Sequence, residues 1–315
     1  MNDNYLSMGI DTSNYKTSLA IVDSTGEVLY NYQEFLEVKH GERGLRQSEA
    51  FFQHVQKLPE AVKGAFATEG IRGNIGAISV STRPRPVDGS YMPVFTAGHG
   101  YAKALAAAMN IELQEFSHQE GHIEAIRHYS PLADKSPLIC FHFSGGTTEA
   151  LMLDKQGKIT IVGGTKDIAY GQVLDRVGVA LGYPFPCGQM LDEIALSSSG
   201  HRSIFSPIKV KDGFVNLSGI ETQAQRALEH YSQGELAEAL FERLSASVAD
   251  MTVQLSEKYS IKDFIYAGGV SCSAYMRRYL SERIGSRLNI VFGKAEMSAD
   301  NAVGTALLGG KRLWH

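Results

Sequence analysis

Cysteine is scarce in this chain. Its 315 residues hold three, Cys140, Cys187 and Cys272, an odd number without metal-ligand spacing. That excludes a disulfide scaffold and a cysteine–zinc module, and it fits a reducing, cytoplasmic compartment. Long hydrophobic runs are also lacking. No stretch reaches the length of a membrane span, and Met1 to Ser7 are polar, so neither a membrane anchor nor a secretory leader is expected. Positive charge is not concentrated either. With a formal net charge of −4 and no long basic run, the chain alone is a poor electrostatic match for nucleic acid. Any RNA contact calls for a local patch or a partner protein. No stretch fits a Walker-type phosphate loop or the G-x-G-x-x-G dinucleotide turn, so P-loop and Rossmann functions have no support. No low-complexity segment or disordered linker interrupts the chain.

What is there suggests two α/β lobes. The length and a hydrophobic fraction of 43% suffice for a sizeable core. Apolar runs punctuated by Gly, Asn and Asp predict strands in LSMGIDTSN, TSLAIVD and EVLYNYQ. A helix is predicted over 48–69, with Phe51, Phe52, Val55, Leu58, Val62 and Phe66 on one side. A strand (75–81), an Ala-rich helix (98–111) and a helix over 118–128 follow. SPLICFHFSGGTTEALMLD (136–154) then repeats the opening layout of strand, small-residue turn and strand, which suggests duplication. KITIVGG adds a strand. Helices are predicted at 168–182, 187–198 and 234–259. DFIYAGGVS, a helix beyond it, LNIVFG and a terminal helix from Ser298 complete the chain. The boundaries drawn are 1–135 for lobe I and 136–297 for lobe II, with the helix at about 298–315 free to pack back onto lobe I.

The most informative stretch is His118-Gln119-Glu120-Gly121-His122. At about 3.6 residues per turn, an i,i+4 pair stacks both imidazoles on one helix face, where they can share a metal ion. A third ligand is needed, and Asp300 in Ser298-Ala299-Asp300-Asn301 is the candidate, although that loop also reads as a helix N-cap. Glu120 is not adjacent to His118. The general base of a His-Glu-x-x-His peptidase is therefore displaced, which argues against a zinc peptidase. His54, His99, His128, His142 and His201 have no such arrangement and read as structural or surface residues.

Three small-residue turns are candidates for a nucleotide. Gly9-Ile10-Asp11-Thr12-Ser13 can hold phosphate on backbone N–H groups and place Asp11 near a divalent ion. Ser144-Gly145-Gly146-Thr147-Thr148 offers bare backbone and hydroxyls. Ala267-Gly268-Gly269-Val270 could pack against a base or ribose. Each alone is also an ordinary turn. Asp175 and Asp192 flank the Gly182–Pro186 turn on predicted helices, where a solvated surface is the plain interpretation.

Taken together, the residues resemble the TsaD/Gcp/Kae family, the universal threonylcarbamoyladenosine synthase subunit, once labelled O-sialoglycoprotein endopeptidase. The matching pieces are MGIDTSNYKTSLAIVD, AKALA, SHQEGHIEA, FHFSGGTTEALML, GQVLDRVGVALGYPFPCGQMLDEIAL, NLSGIET, YAGGVSCSAYMRRYL and SADNAVGTALLG. The resemblance implies an α/β, actin/hexokinase-like (ASKHA) fold: two ribonuclease-H-like lobes with a nucleotide cleft. It implies metal ligation, and catalysis, by His118, His122 and Asp300. It implies adenine-nucleotide contacts at Phe143 to Gly146, Asp175, Gly188 and Asp192. The turns add Asp11, Thr147, Gly268, Gly269 and Ser273 as cofactor candidates. The implied cofactors are one divalent metal, iron or zinc, and ATP or threonylcarbamoyl-adenylate with magnesium. The implied activity is acyl transfer to adenosine 37 of tRNA with partner proteins, and a homologous subunit or second copy would pair through a helical face.

The chain departs from the family pattern at Ser13-Asn14-Tyr15-Lys16-Thr17, where two acidic residues are lost and Lys16 reverses the charge. It also departs at Arg83-Pro84-Arg85-Pro86, at Thr147, at Ser273, and around Gly41 to Arg46. These changes mark a divergent paralogue. Two other functions are therefore carried forward. One is a superfamily carbamoyltransferase or ATPase acting on a small molecule, with Arg83 and Arg85 binding an anionic group. The other is a non-catalytic scaffold.

Overall fold

Three consecutive apolar-rich segments fold as an antiparallel meander, β1 (Leu6–Thr12), β2 (Lys16–Val22) and β3 (Val28–Phe35). The structure, a computed structural model, describes residues 5–13, 15–38, 45–143, 146–198, 204–293 and 302–314. The chain divides into two units, Met1–Tyr129 with Ala299–His315, and Ser130–Ser298. In the first, β4 (Ile75–Arg83) pairs parallel with β1, and β5 (Leu113–Ser117) with β4, giving the order β3-β2-β1-β4-β5.

β1 and β2 are buried along their whole length, because helices cover both faces of the sheet. Met8, Ile10, Leu19 and Ile21 pack against α1 (Gln47–Ala67) and α2 (Phe95–Met109) through Leu58, Ala61, Ala65, Ala102 and Ala106. Each fully buried Leu or Ile contributes about 1.5–3 kcal/mol by leaving water. The alternate residues of β1 and β4 face α3 (His118–His128) and α9 (Val303–Trp314). Ser7 Oγ donates to Ala306 O at 2.6 Å, and Ser79 Oγ donates to Thr305 O at 2.7 Å. α9 approaches α3 backbone to backbone: a Cβ on Gly304 would collide with the carbonyl of Gly121.

The second unit repeats the plan. β6 (Leu138–Phe143), β7 (Thr148–Leu153) and β8 (Ile159–Thr165) form a meander. β10 (Asp263–Ala267) and β11 (Asn289–Phe292) add in parallel on the β6 side, and the short β9 (Phe214–Val215) on the β8 side. Its helices are α4 (Tyr170–Ala180), α5 (Gly188–Ser197), α6 (Ser218–Ala227), α7 (Gln233–Tyr259) and α8 (Ala274–Ile284). The core centres on parallel rings. Phe141 lies 5.5 Å from Phe143 and 5.3 Å from Tyr266, centroid to centroid.

The expected apolar side of α1 matches its buried stripe only in part: Leu58 is buried and Val55, Val62 and Phe66 pack half-buried against the core. Ala50, His54, Leu58, Ala61 and Ala65 face inward, while Phe51 and Phe52 remain 38% and 61% exposed. The small residues Ala50, Ala61 and Ala65 in that stripe let the helix lie close to the sheet. No helix of the described residues is long and apolar enough to cross a membrane.

Candidate functional site

α3 begins where the sequence spells a capping box. Ser117 Oγ accepts from Glu120 N at 3.2 Å, and Glu120 Oε2 accepts from Ser117 N at 2.6 Å. The reciprocal pair satisfies two otherwise orphaned donors and fixes the first turn. Arg83 Nη2 stands 3.7 Å from the same Glu120 oxygen. Glu120 is thus a capping carboxylate, a role that Ser-x-x-Glu at 117–120 signals.

With the first turn fixed, both imidazoles project from one side. His118 Nε2 and His122 Nε2 are 2.9 Å apart, with the rings nearly perpendicular at 87°. On the other side of His118, Nδ1 lies 2.8 Å from Asp11 Oδ1 at the end of β1. A carboxylate only accepts, so Nδ1 carries the proton and the Nε2 lone pair of a neutral ring points at His122. Asp11 is 1% exposed, and its second oxygen, Oδ2, is buried with no hydrogen-bond partner among the described residues.

These residues fit a divalent ion. Two nitrogens ligating one ion at about 2.1 Å stand about 3.0–3.4 Å apart for angles between square and tetrahedral, close to the observed 2.9 Å. The third expected ligand, Asp300, lies outside the described residues, as do Ser144 and Gly145. Among the described residues, no group of three His, Cys, Asp or Glu side chains is arranged to hold a metal. Asp11 stands behind His118, on its Nδ1, on the far side of the ring from the two Nε2 atoms.

The other expected site residues lie in the second unit. Phe143 is 0% exposed, with its ring between Phe141 and Tyr170, so only its backbone is available to a ligand. Around Gly146, Gly188 and Gly269, no described atom lies within 4 Å of where a Cβ would stand. Such bare backbone suits a flat ligand. Gly268 differs: its φ of +87° and the backbone of Phe143 against its missing Cβ explain the glycine structurally. Thr147 is half-buried after Gly146.

Asp175 on α4 accepts from Cys187 N at 2.8 Å. Burial pushes its carboxyl above the usual range, opposed by that hydrogen bond. Burial also raises the Cys187 thiol, with the Asp175 charge adding to it. Asp192 on α5 does not sit on a solvated surface. Its Oδ1 accepts from Ser273 Oγ at 2.5 Å and from Tyr275 N at 3.1 Å, and its Oδ2 from Ala274 N at 2.8 Å. Ser273 in turn caps α8 by accepting from Met276 N at 3.0 Å. Together the two side chains fix the start of α8 against α5, directly after the glycine turn. Arg277, not singled out in the sequence, ties the same turn to the end of β11. Its Nε donates to Ser271 O and its Nη2 to Gly293 O, each at 2.7 Å.

At the positions of family departure, Lys16 is buried. Its Nζ donates to Gln33 Oε1 at 3.0 Å and sits 4.5 Å above the Phe35 ring. Asn14 and residues 41–44 lie outside the described residues. His54 is structural: Nε2 donates to Ser13 O at 2.8 Å, and Nδ1 accepts from Thr17 Oγ1 at 2.7 Å.

The repeated lobes are those of the actin/hexokinase-like class. Among solved structures, the chain is similar to HypF of T. kodakarensis (TM-score 0.67, 14% identity, 98% of this chain and 48% of that one). It is also similar to component A of (R)-2-hydroxyglutaryl-CoA dehydratase from Acidaminococcus fermentans (TM-score 0.58, 13% identity, 98% of both chains). A ROK hexokinase from Thermus thermophilus matches with a TM-score of 0.56 at 16% identity, over 98% of this chain and 99% of that one. These likenesses show the fold. Within that class, the sequence model of one family, TsaD, tRNA N6-adenosine threonylcarbamoyltransferase, matches residues 27–307, and the chain belongs to that family. Curated relatives bearing this description include one from Chlamydia trachomatis, 27% identical over 96% of this chain and 92% of its own length. Another, from Geobacillus thermodenitrificans, is 28% identical over 100% and 93%. Family membership makes the chain a transferase of the tRNA-modifying kind.

Proposed function

We propose that this protein transfers a threonylcarbamoyl group from an acyl-adenylate to the exocyclic amine of adenosine 37 in tRNA, with a divalent ion, iron or zinc, held by His118, His122 and Asp300. The observation that carries this is the pair of Nε2 atoms at 2.9 Å with a buried carboxylate behind one ring. When bound, the ion would supply Lewis acidity and a template for the oxygens of the adenylate. The chain's own part is positioning. Gly146, Gly188 and Gly269 leave backbone against which the adenosine can lie, and Asp175 can accept from ribose hydroxyls. Asp192 and Ser273 fix the start of α8, the helix that follows Gly269. The amine nitrogen forms the new bond to the carbonyl carbon, the bond from that carbon to the phosphate oxygen breaks, AMP leaves, and the proton lost by the amine passes to solvent.

The net charge of −4 supports a reading in which partner proteins make much of the tRNA contact, and the three cysteines without metal-ligand spacing support a reducing, cytoplasmic setting. The exposed Phe51 and Phe52 rings on α1 offer a homologous subunit an apolar helical face. A small-molecule acceptor is disfavoured by Arg83, whose guanidinium stands beside Glu120. The test is the His118→Ala, His122→Ala double variant, assayed with tRNA, threonylcarbamoyl-adenylate and partner proteins. Loss of bound metal and a fall in transfer of at least about 100-fold, some 2.7 kcal/mol of transition-state stabilisation, are expected. Full transfer with unchanged metal content in the double variant would refute the assignment.

A further inference from the structure

We propose that Asp11 is a positioning residue of the metal centre, acting through His118, and not a contact of the nucleotide phosphates. This rests on the metal assignment above. Asp11 closes β1 on the face covered by α3 and α9. Its neighbour across the sheet is Ser18, and two residues earlier Gly9 lies under the backbone of Ala306. The carboxylate is thereby sealed at 1% exposure, with Oδ1 2.8 Å from His118 Nδ1. A carboxylate that served the phosphates through a divalent ion would have to face the ligand. This one faces the back of an imidazole whose other nitrogen faces His122 at 2.9 Å.

Three consequences follow from the chemistry. The accepting carboxylate forces the proton onto Nδ1, which leaves Nε2, facing His122 at 2.9 Å, as the nitrogen that would ligate a cation. The hydrogen bond fixes the ring plane and raises the basicity of Nε2, as carboxylate partners of metal-bound histidines do. Conversely, a buried carboxylate whose Oδ2 has no partner among the described residues needs positive charge nearby, which a cation behind the imidazole supplies. Asp11 and the ion are each stabilised by the other through one ring.

The test uses the full chain, stripped of metal and titrated with Zn2+ alone against a competing chelator, in wild type, Asp11→Asn, Asp11→Ala and His118→Ala. Zn2+ affinity is expected to fall 10–100-fold in Asp11→Ala and less in Asp11→Asn, which keeps an acceptor but not the charge. Nitrogen-15 spectra of the metal-free proteins give a readout independent of metal and activity. His118 is expected as the Nδ1–H tautomer in wild type and Asp11→Asn, and as a mixture in Asp11→Ala. If Asp11→Ala fails to fold, the lowered affinity with retained tautomer in Asp11→Asn decides. Wild-type affinity in the Asp11 variants, with His118→Ala still deficient, overturns the role of Asp11 and leaves the metal assignment standing. Failure of wild type to bind Zn2+ overturns both.

Discussion

Gly304→Ala is expected to destabilise the protein, although helix propensity favours the change. Gly304 is the second residue of α9, where Ala is better than Gly by up to about 1 kcal/mol. Space reverses the sign. The added Cβ would collide with the Gly121 carbonyl and stand 2.8 Å from Ala125 N. Both are backbone atoms of α3, so no side chain can rotate away, and the helices must separate by about an ångström. Overpacking of this kind costs about 1–3 kcal/mol. The shift also acts at a distance, because α3 carries His118, and the 2.8 Å bond to Asp11 stretches as α3 moves from β1. Gly219 is a matched control: it holds the same second position in α6, and no described atom lies within 4 Å of its missing Cβ. Gly219→Ala should be neutral to about 1 kcal/mol more stable by propensity alone. Urea unfolding is to be followed by far-ultraviolet circular dichroism and by fluorescence of Trp314, the single tryptophan, which lies on α9 itself. The expected net loss for Gly304→Ala is about 2 kcal/mol, with weakened Zn2+ binding. A Gly304→Ala protein as stable as Gly219→Ala, binding Zn2+ like wild type, refutes the close-approach reasoning.

Asp192→Ala should cost about 3 kcal/mol by leaving the N–H groups of Ala274 and Tyr275 without an acceptor, and Asp192→Asn about half of that. Unchanged urea midpoints would return Asp192 to direct nucleotide contact. Ser117→Ala should lower stability by about 1 kcal/mol through loss of the α3 cap, read as a lower urea midpoint. Burial holds the His54 imidazole below its ordinary value near 6.5, opposed by its bond to Ser13 O. A depressed folded value contributes stability that is complete above the unfolded value and is lost as pH falls through the folded one. Wild type should therefore weaken from pH 7 to pH 5 and His54→Gln less so, and parallel midpoint-versus-pH curves would disprove this.

How much of the site was legible depended on sequence distance. The His118/His122 pair was readable because both members share one helix, and its face follows from spacing alone. The Ser117–Glu120 capping box was equally local. The Asp11–His118 bond joins residues 107 apart, and Asp192–Ser273 joins residues 81 apart. No periodicity announces such pairs. On α1 the Val55, Leu58, Val62 and Phe66 side was legible, but Phe51 and Phe52 were misjudged because large aromatics were expected inside, whereas close helix–sheet contact selects Ala50, Ala61 and Ala65. β5 was missed because LQEFS is a half-polar edge strand, and α6 because SGIETQAQRA is mostly polar and opens with glycine.

The repeat expected from the two strand–turn–strand openings has a chemical consequence. In each unit the meander's first strand lies beside a parallel strand, and the last register pair before its turn is Thr12 with Thr17 in one and Phe143 with Thr148 in the other. One step back, Asp11 opposite Ser18 corresponds to His142 opposite Glu149. The scaffold thus offers the same inward position twice and fills it differently. In the first unit it holds a carboxylate aimed at an imidazole on α3. In the second the sequence after the strand is glycine-rich, and the parallel strand β10 is followed directly by Gly268 and Gly269. A charged, sealed position suits a cation, and bare backbone suits a flat base or ribose. The two meanders therefore present equivalent corners whose side chains differ, Asp11 and Ser18 in one and His142 and Glu149 in the other, and under the proposed function the first would serve the metal and the second the nucleotide.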